Sequence, residues 1–159
     1  MSAYERYGRA LLRKAERIVG NREDARDILQ GLFVDLYQRS DTPMDLPYLY
    51  RAITNRCLSF VRDEANRARL LERHDEALVP SRRTACDDHV IGHDLLLKLV
   101  RELDASESEV LAYRFLDDMT QDEIARLLGL SRKTIGKRLD RVRDAVRKLA
   151  RSRDEGGLP

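Results

Sequence analysis

The stretch TQDEIARLLGLSRKTIGKRLDRVR, residues Thr120 to Arg143, reads as two short helices joined at a glycine. In its first half Ile124, Ala125 and Leu128 recur at helical spacing and form an inner face, with Ala125 small where a second helix must cross closely. Thr120 followed by Glu123 has the capping-box pattern, in which the hydroxyl meets the third amide and the acid reaches back. Gly129 suits the left-handed conformation that ends a helix, Leu130 plugs the corner, and Ser131 caps the second helix. In the second half Ile135, Leu139, Val142 and Val146 point inward, which turns Lys133, Lys137, Asp140 and Arg141 outward. That half carries six basic residues: Arg132, Lys133, Lys137, Arg138, Arg141 and Arg143. This is the pattern of a helix-turn-helix, whose second helix lies in the major groove and touches base edges with its N-terminal half.

Charge around the stretch points the same way. The net charge is only +2, but Glu102 to Glu123 holds eight acids against Arg114 alone, and Arg132 to Arg153 holds ten bases against Asp140 and Asp144. Such asymmetry fits a polyanion on one face.

Upstream, spacing of three and four dominates and no alternating stretch argues for a strand, so the fold expected is all-α. A first helix runs from Tyr4 to Val19 with Tyr7, Leu11, Ala15 and Ile18 inward, and breaks at Gly20-Asn21. Asn21 caps a second helix with Ala25, Ile28, Leu29, Leu32 and Leu36 on one stripe. After a loop from Ser40 to Pro47, a third helix carries Leu49, Ile53, Cys57 and Phe60 inward, with Arg51, Asn55, Arg62 and, at the edge, Ser59 opposite. These helices close one small core in a domain of residues 1–69. From Leu70 to His89 the apolar rhythm fades around Pro80 to Arg83, which reads as a flexible linker, 70–89. A second small helical domain, 90–153, has segments Val90–Leu103 and Ser106–Leu116 ahead of the helix-turn-helix, with Ser106 and Glu109 forming another capping box. Residues 154–159 read as a disordered tail.

Composition excludes several classes. A hydrophobic fraction of 42% builds ordinary cores, and neither a signal peptide nor an apolar run of roughly 18 residues is present, so a cytoplasmic location is expected. Two cysteines, Cys57 and Cys86, make no disulfide framework. His93-Asp94 resembles the metal-binding pair of HD phosphohydrolases, but further ligands, a phosphate loop and an activated nucleophile are missing, so no enzyme and no cofactor are expected. Cys86, His89 and His93 have ligand-like spacing; with His74 only a guess for a fourth ligand, a hydrophilic linker is the preferred interpretation and no metal is assigned.

A helix-turn-helix alone fits a dimeric repressor acting without polymerase as well as other DNA readers. The N-terminal segments decide between them. EDARDILQGLFVDLY (Glu23 to Tyr37) and PYLYRAITNRCLSFVRD (Pro47 to Asp63) resemble the core-binding and promoter-melting segments of bacterial sigma factors of the extracytoplasmic-function class. Ala25, Asp27, Ile28, Leu29, Gln30 and Phe33 match the first motif. Tyr48, Leu49, Tyr50, Arg51, Asn55 and Arg56 match the second, and Glu123, Ile124, Ala125, Gly129, Ser131, Thr134, Ile135, Arg138 and Leu139 match the family's C-terminal domain.

The resemblance implies a specificity subunit that directs core RNA polymerase to promoters and assists melting. Asp27, Gln30 and Phe33 then contact polymerase. Arg51, Asn55 and Arg62, with Asp41 in the loop Ser40 to Asp45, face the −10 element, where a flipped base must be repaid by stacking and edge hydrogen bonds. Tyr48 and Tyr50 fit either stacking on single-stranded bases or a core. Gly136, Lys137, Asp140 and Arg141 take the base-reading positions at the −35 element; Gly136 lacks the family's usual basic side chain, and Asp140 is tolerable if it accepts from cytosine or pairs with Arg143 or Arg147. Ser131, Arg132 and Lys133 are assigned to phosphates. The partners implied are core polymerase, duplex −35 and single-stranded −10 DNA, and an anti-sigma factor, with no membrane.

Overall fold

The computed structural model describes residues 1–73 and 87–156, except for the side chains of 72, 73, 87–91 and 156. Its elements are α1 (Ala3–Val19), α2 (Arg22–Gln38), α3 (Leu46–Arg73), α4 (Asp87–Glu102), α5 (Ala105–Leu111), a π-helical turn, π1 (Ala112–Leu116), α6 (Gln121–Leu128) and α7 (Arg132–Gly156), with no strand among the described residues. The all-α expectation holds. Three boundaries move: α3 continues to Arg73, α4 begins at Asp87, and α7 runs to Gly156, beyond the expected end at 153. The centre of the expected linker, including His74, Pro80 and Cys86, lies outside the described residues, as do the side chain of His89 and residues 157–159 of the expected tail.

Helix starts follow local chemistry. Ser2 and Glu5 form a capping box at α1, whose end is Gly20 at φ 77°. The side chain of Asn21 accepts the Asp24 amide at 3.1 Å and starts α2. The box at α5, however, is Asp104 with Glu107, and Ser106 instead donates to Asp104 Oδ1 at 2.7 Å. A carboxylate placed two residues earlier captures the Glu107 amide, which leaves Glu109 free to turn inward. Hydrogen bonds from Glu107 and Ser106 hold the Asp104 carboxyl below its ordinary range.

The packing differs from two separate cores. Leu11, Ala15 and Ile18 of α1, Ala25, Leu29 and Leu32 of α2, and Leu49, Ile53 and Cys57 of α3 share one cluster with Leu96, Leu99 and Val100 of α4 and Val142 and Ala145 of α7. Burial pushes the Cys57 thiol up to about 12. The link is a second apolar line on α3: Thr54, Leu58, Val61 and Ala65 are all buried and lie about a third of the way round the helix from Leu49, Ile53 and Cys57. A smaller cluster of Val110, Tyr113, Ile124, Ala125, Ile135 and Leu139 fills the helix-turn-helix, and Tyr50 of α3 packs against it. Helix α7 crosses from the second cluster to the first, so its inward line passes from Ile135 and Leu139 to Val142, Ala145 and Leu149. Val146, expected inward, is consequently exposed.

Candidate nucleic-acid interface

The turn between α6 and α7 is built as its residues dictate. Gly129 has φ 65° and ψ 32°, and the Leu130 amide donates to the Ala125 carbonyl at 3.0 Å, the six-to-one bond of a Schellman end. Half-buried Leu130 packs on the small cluster. Ser131 Oγ accepts the Thr134 amide at 3.1 Å and lies 2.9 Å from the Thr134 hydroxyl, so this phosphate candidate is also the cap of α7. The Thr120–Glu123 box is present as expected.

The outward face of α7 is in solvent: Lys133, Lys137, Asp140 and Arg141 are exposed. Two of the base-reading candidates are occupied. Arg141 donates to Glu107 Oε1 at 2.9 Å, a bond that raises its already high pKa. Asp140 accepts from Arg143 at 3.1 Å, one of the two partners its spacing allows. Gly136 is half-buried toward α6, where a Cβ would stand 2.9 Å from Gln121 Nε2, itself bonded to the Arg132 carbonyl at 2.9 Å. A side chain at this position would meet the end of the Gln121 side chain, and glycine offers none to a groove. Arg132 also lies 3.5 Å from Asp122 across the turn.

On α2, Asp27 and Gln30 are exposed, but Phe33 is 3% exposed and serves the core, edge-on to Tyr4 at 5.1 Å. The apolar surface beside Asp27 and Gln30 is instead Val34 and Tyr37, 55% and 57% exposed, at helical spacing on the same outward stripe. Sequence pattern predicts the polar pair and misses this apolar part. Asp35 on the neighbouring face is ion-paired with Arg56, which holds its carboxyl low.

The −10 candidates are divided. Asp41 and Asn55 are exposed, whereas Asp45 is spent as a helix cap, accepting the Tyr48 amide at 3.1 Å. Arg51 and Arg62 do not face solvent as an open stripe. Arg51 Nε donates to Glu109 Oε1 at 3.1 Å, and Arg62 approaches Ser108 Oγ at 3.4 Å. The physical reason is the adjoining line of Thr54, Leu58, Val61 and Ala65, which draws the C-terminal helices onto this side of α3. Tyr50 stacks on Tyr113 with centroids 5.8 Å apart and planes at 17°. Beside them Asp117 receives Lys14 and Arg17 of α1, the latter at 2.8 Å. The Lys14 and Asp117 side chains are 1% and 2% exposed. Burial lowers the Lys14 pKa, against the opposing pull of Asp117, and burial raises both tyrosines.

His93 packs over Gly20, with Nδ1 3.1 Å from where a Cβ would be, and its Nε2 lies 3.6 Å from Glu64. It belongs to the seam between α1, α3 and α4. Among the described residues no group of His, Cys, Asp and Glu is arranged to hold a metal, and no helix is long and apolar enough to cross a membrane.

An N-terminal helical unit ahead of a helix-turn-helix with a solvent-facing basic helix defines a two-part helical DNA-binding protein. Residues 3–67 match the family Sigma-70 region 2, and residues 93–146 match Sigma-70, region 4. The chain belongs to the sigma-70 family of RNA polymerase sigma factors, in its extracytoplasmic-function class. It is 33% identical over 148 residues to the RNA polymerase sigma-E factor of Streptomyces avermitilis, covering 91% of this chain and 81% of that one. Similar proteins of the same name occur in Streptomyces coelicolor, 33% identical over 149 residues (92% and 79% covered), and Streptomyces antibioticus, 29% over 151 residues (91% and 81%). Factors of this family act in transcription initiation by binding, without catalysis.

Proposed function

We propose that this sigma factor docks core polymerase through the outward stripe of α2, reads the −35 element with the exposed start of α7, and meets the melted −10 strand with α3. The family assignment carries the promoter-directing function. The finer assignment rests on one observation: the mixed polar and apolar stripe Asp27, Gln30, Val34 and Tyr37 on α2 and the basic start of α7, Lys133 and Lys137, are both exposed.

Asp27, Gln30, Val34 and Tyr37 combine an acid, an amide and exposed apolar area, the mixture expected of a wet interface with an aromatic anchor. Lys137 reaches base edges, and Lys133, nearer the start of α7, meets phosphate. The factor works in the cytoplasm beside the polymerase and catalyses no reaction. An anti-sigma factor is a further partner of the same surfaces. A dimeric repressor loses its ground, because the N-terminal half is a sigma-70 region 2.

Run-off transcription with core polymerase on a promoter library tests the function and yields the motif. Competition for core separates the α2 residues: Asp27→Ala, Gln30→Ala and Tyr37→Ala each weaken binding by about 1 kcal/mol or more with an intact fold, whereas Phe33→Ala unfolds the domain by about 3–5 kcal/mol. Parent-like competition by all three surface variants removes α2 from the interface.

A further inference from the structure

One ion pair of α7 differs in kind from the others. Arg132, Arg143, Arg147 and Lys148 meet Asp122, Asp140, Asp144 and Glu102, acids whose side chains are all more than a third exposed. Pairs of that sort are screened by water and salt and hold little. Arg141 instead donates to Glu107 Oε1 at 2.9 Å, and the Glu107 side chain is 8% exposed. The second oxygen of that carboxylate, Oε2, accepts the Asp104 amide at 3.0 Å, while Asp104 Oδ1 accepts the Glu107 amide at 2.8 Å. The capping box of α5 therefore fixes the carboxylate independently of Arg141. Withdrawing the guanidinium would leave a shielded charge with one partner fewer, which is costly.

We propose that Glu107 determines −35 specificity without touching DNA: it holds the Arg141 guanidinium against α5 and so withholds from the base edges an arginine one helical turn from Lys137. The proposal rests on the assignment of α7 to the −35 groove. Arginine is the side chain best shaped to meet guanine, whose O6 and N7 accept its two-pronged fork. Here Nη1 is already committed to Glu107, and the neighbouring end-on fork is lost with it. The exposed acids nearby exert no such hold, so Glu107 is the positioning residue of this face. Discrimination is left to Lys137, which carries a point charge in place of a fork. Glutamine at 107 would undo the arrangement with little change of shape. Its carbonyl oxygen can keep the cap, because a capping box accepts Gln as well as Glu at this position. Its amino group then faces Arg141, donor against donor, and the guanidinium turns outward.

The experiment uses core polymerase reconstituted with the full-length factor and a duplex promoter library randomised at the −35 element, with the −10 element fixed; bound promoters are sequenced. Glu107→Gln should gain a preference for guanine of about tenfold at one −35 position, the worth of one bidentate arginine contact. Adding Arg141→Ala to Glu107→Gln should remove that gain. Asp104→Ala is the control for damage to the start of α5: it breaks the capping box but leaves the Glu107 carboxylate for Arg141, and should gain no guanine preference. Thermal unfolding of each variant confirms a folded chain at the assay temperature. A motif unchanged by Glu107→Gln, while Lys137→Ala alters it, overturns the proposal. So does a guanine preference of the parent that Glu107→Gln abolishes, since the carboxylate would then aim the arginine at the base. A gain that survives Arg141→Ala, or that Asp104→Ala reproduces, overturns it as well. If neither Glu107→Gln nor Lys137→Ala alters the motif, the assignment of α7 to the −35 groove fails instead.

Discussion

The polar side of α3 and the basic side of α7 carry similar chemistry and meet different fates. On α7, Lys133, Lys137 and Asp140 stand in solvent, and the buried line beneath them is a single one. On α3 the arginines border a second apolar line, Thr54 to Ala65, and are covered with it. A charged stripe therefore stays open when its helix has one apolar face, and becomes the margin of a seam when it has two. Ion-paired arginine at such a margin keeps its head partly wet while its stem packs.

The contrast breaks most readily at Leu58. Buried in the seam, it should cost about 2–5 kcal/mol on replacement by alanine; on an open stripe the same change would stay within about 0.5 kcal/mol. Urea denaturation of Leu58→Ala measures which, and a midpoint matching the parent would mean that α3 is as open as α7.

The open face is sharpened by selection of −35 variants. Lys137→Ala should cost about 1–3 kcal/mol and relax one or two positions, while Lys133→Ala should weaken all sequences alike and lower the salt slope by about one unit. Arg141→Ala should change the motif less than Lys137→Ala, since Glu107 already holds the guanidinium. A motif altered by Lys133→Ala alone would mean that α7 is rotated in the groove.

The smallest effect concerns the start of α5, which presents Glu109 to the seam. Asp104→Ala should cost about 0.5–2 kcal/mol and Ser106→Ala only a few tenths, opposite to what a Ser106 box requires. Because the Asp104 carboxyl is held below its ordinary 3.8, its contribution is whole above that pH and is lost as pH falls through the lowered value. The difference between parent and Asp104→Ala should accordingly shrink on acidification; a constant difference would exclude the charged cap.

The helix-turn-helix was legible almost atom by atom, because Thr120, Gly129 and Ser131 act on backbone groups within a few residues of themselves. So were α1 to α3 and their first core. The seam was harder to read, although its signal is present: Thr54, Leu58, Val61 and Ala65 have helical spacing, but a threonine and an alanine among them dilute the apolar pattern. Phe33 misleads differently, since a motif match marks a residue as important without distinguishing one that touches a partner from one that supports Tyr4 and Tyr37 from below. Partners such as Asp117 for Lys14 are 103 residues apart, a distance over which local spacing carries no information.

The core shared between Leu58 and Leu96 also bears on heredity. Region 2 and region 4 are recognisable as separate modules, and modules invite exchange between related proteins. Here an exchanged region would arrive without the apolar side chains that its new neighbour was shaped to meet, leaving Leu58, Val61 and Ala65 against strangers. Shuffling these regions therefore calls for compensating changes on both sides of the join.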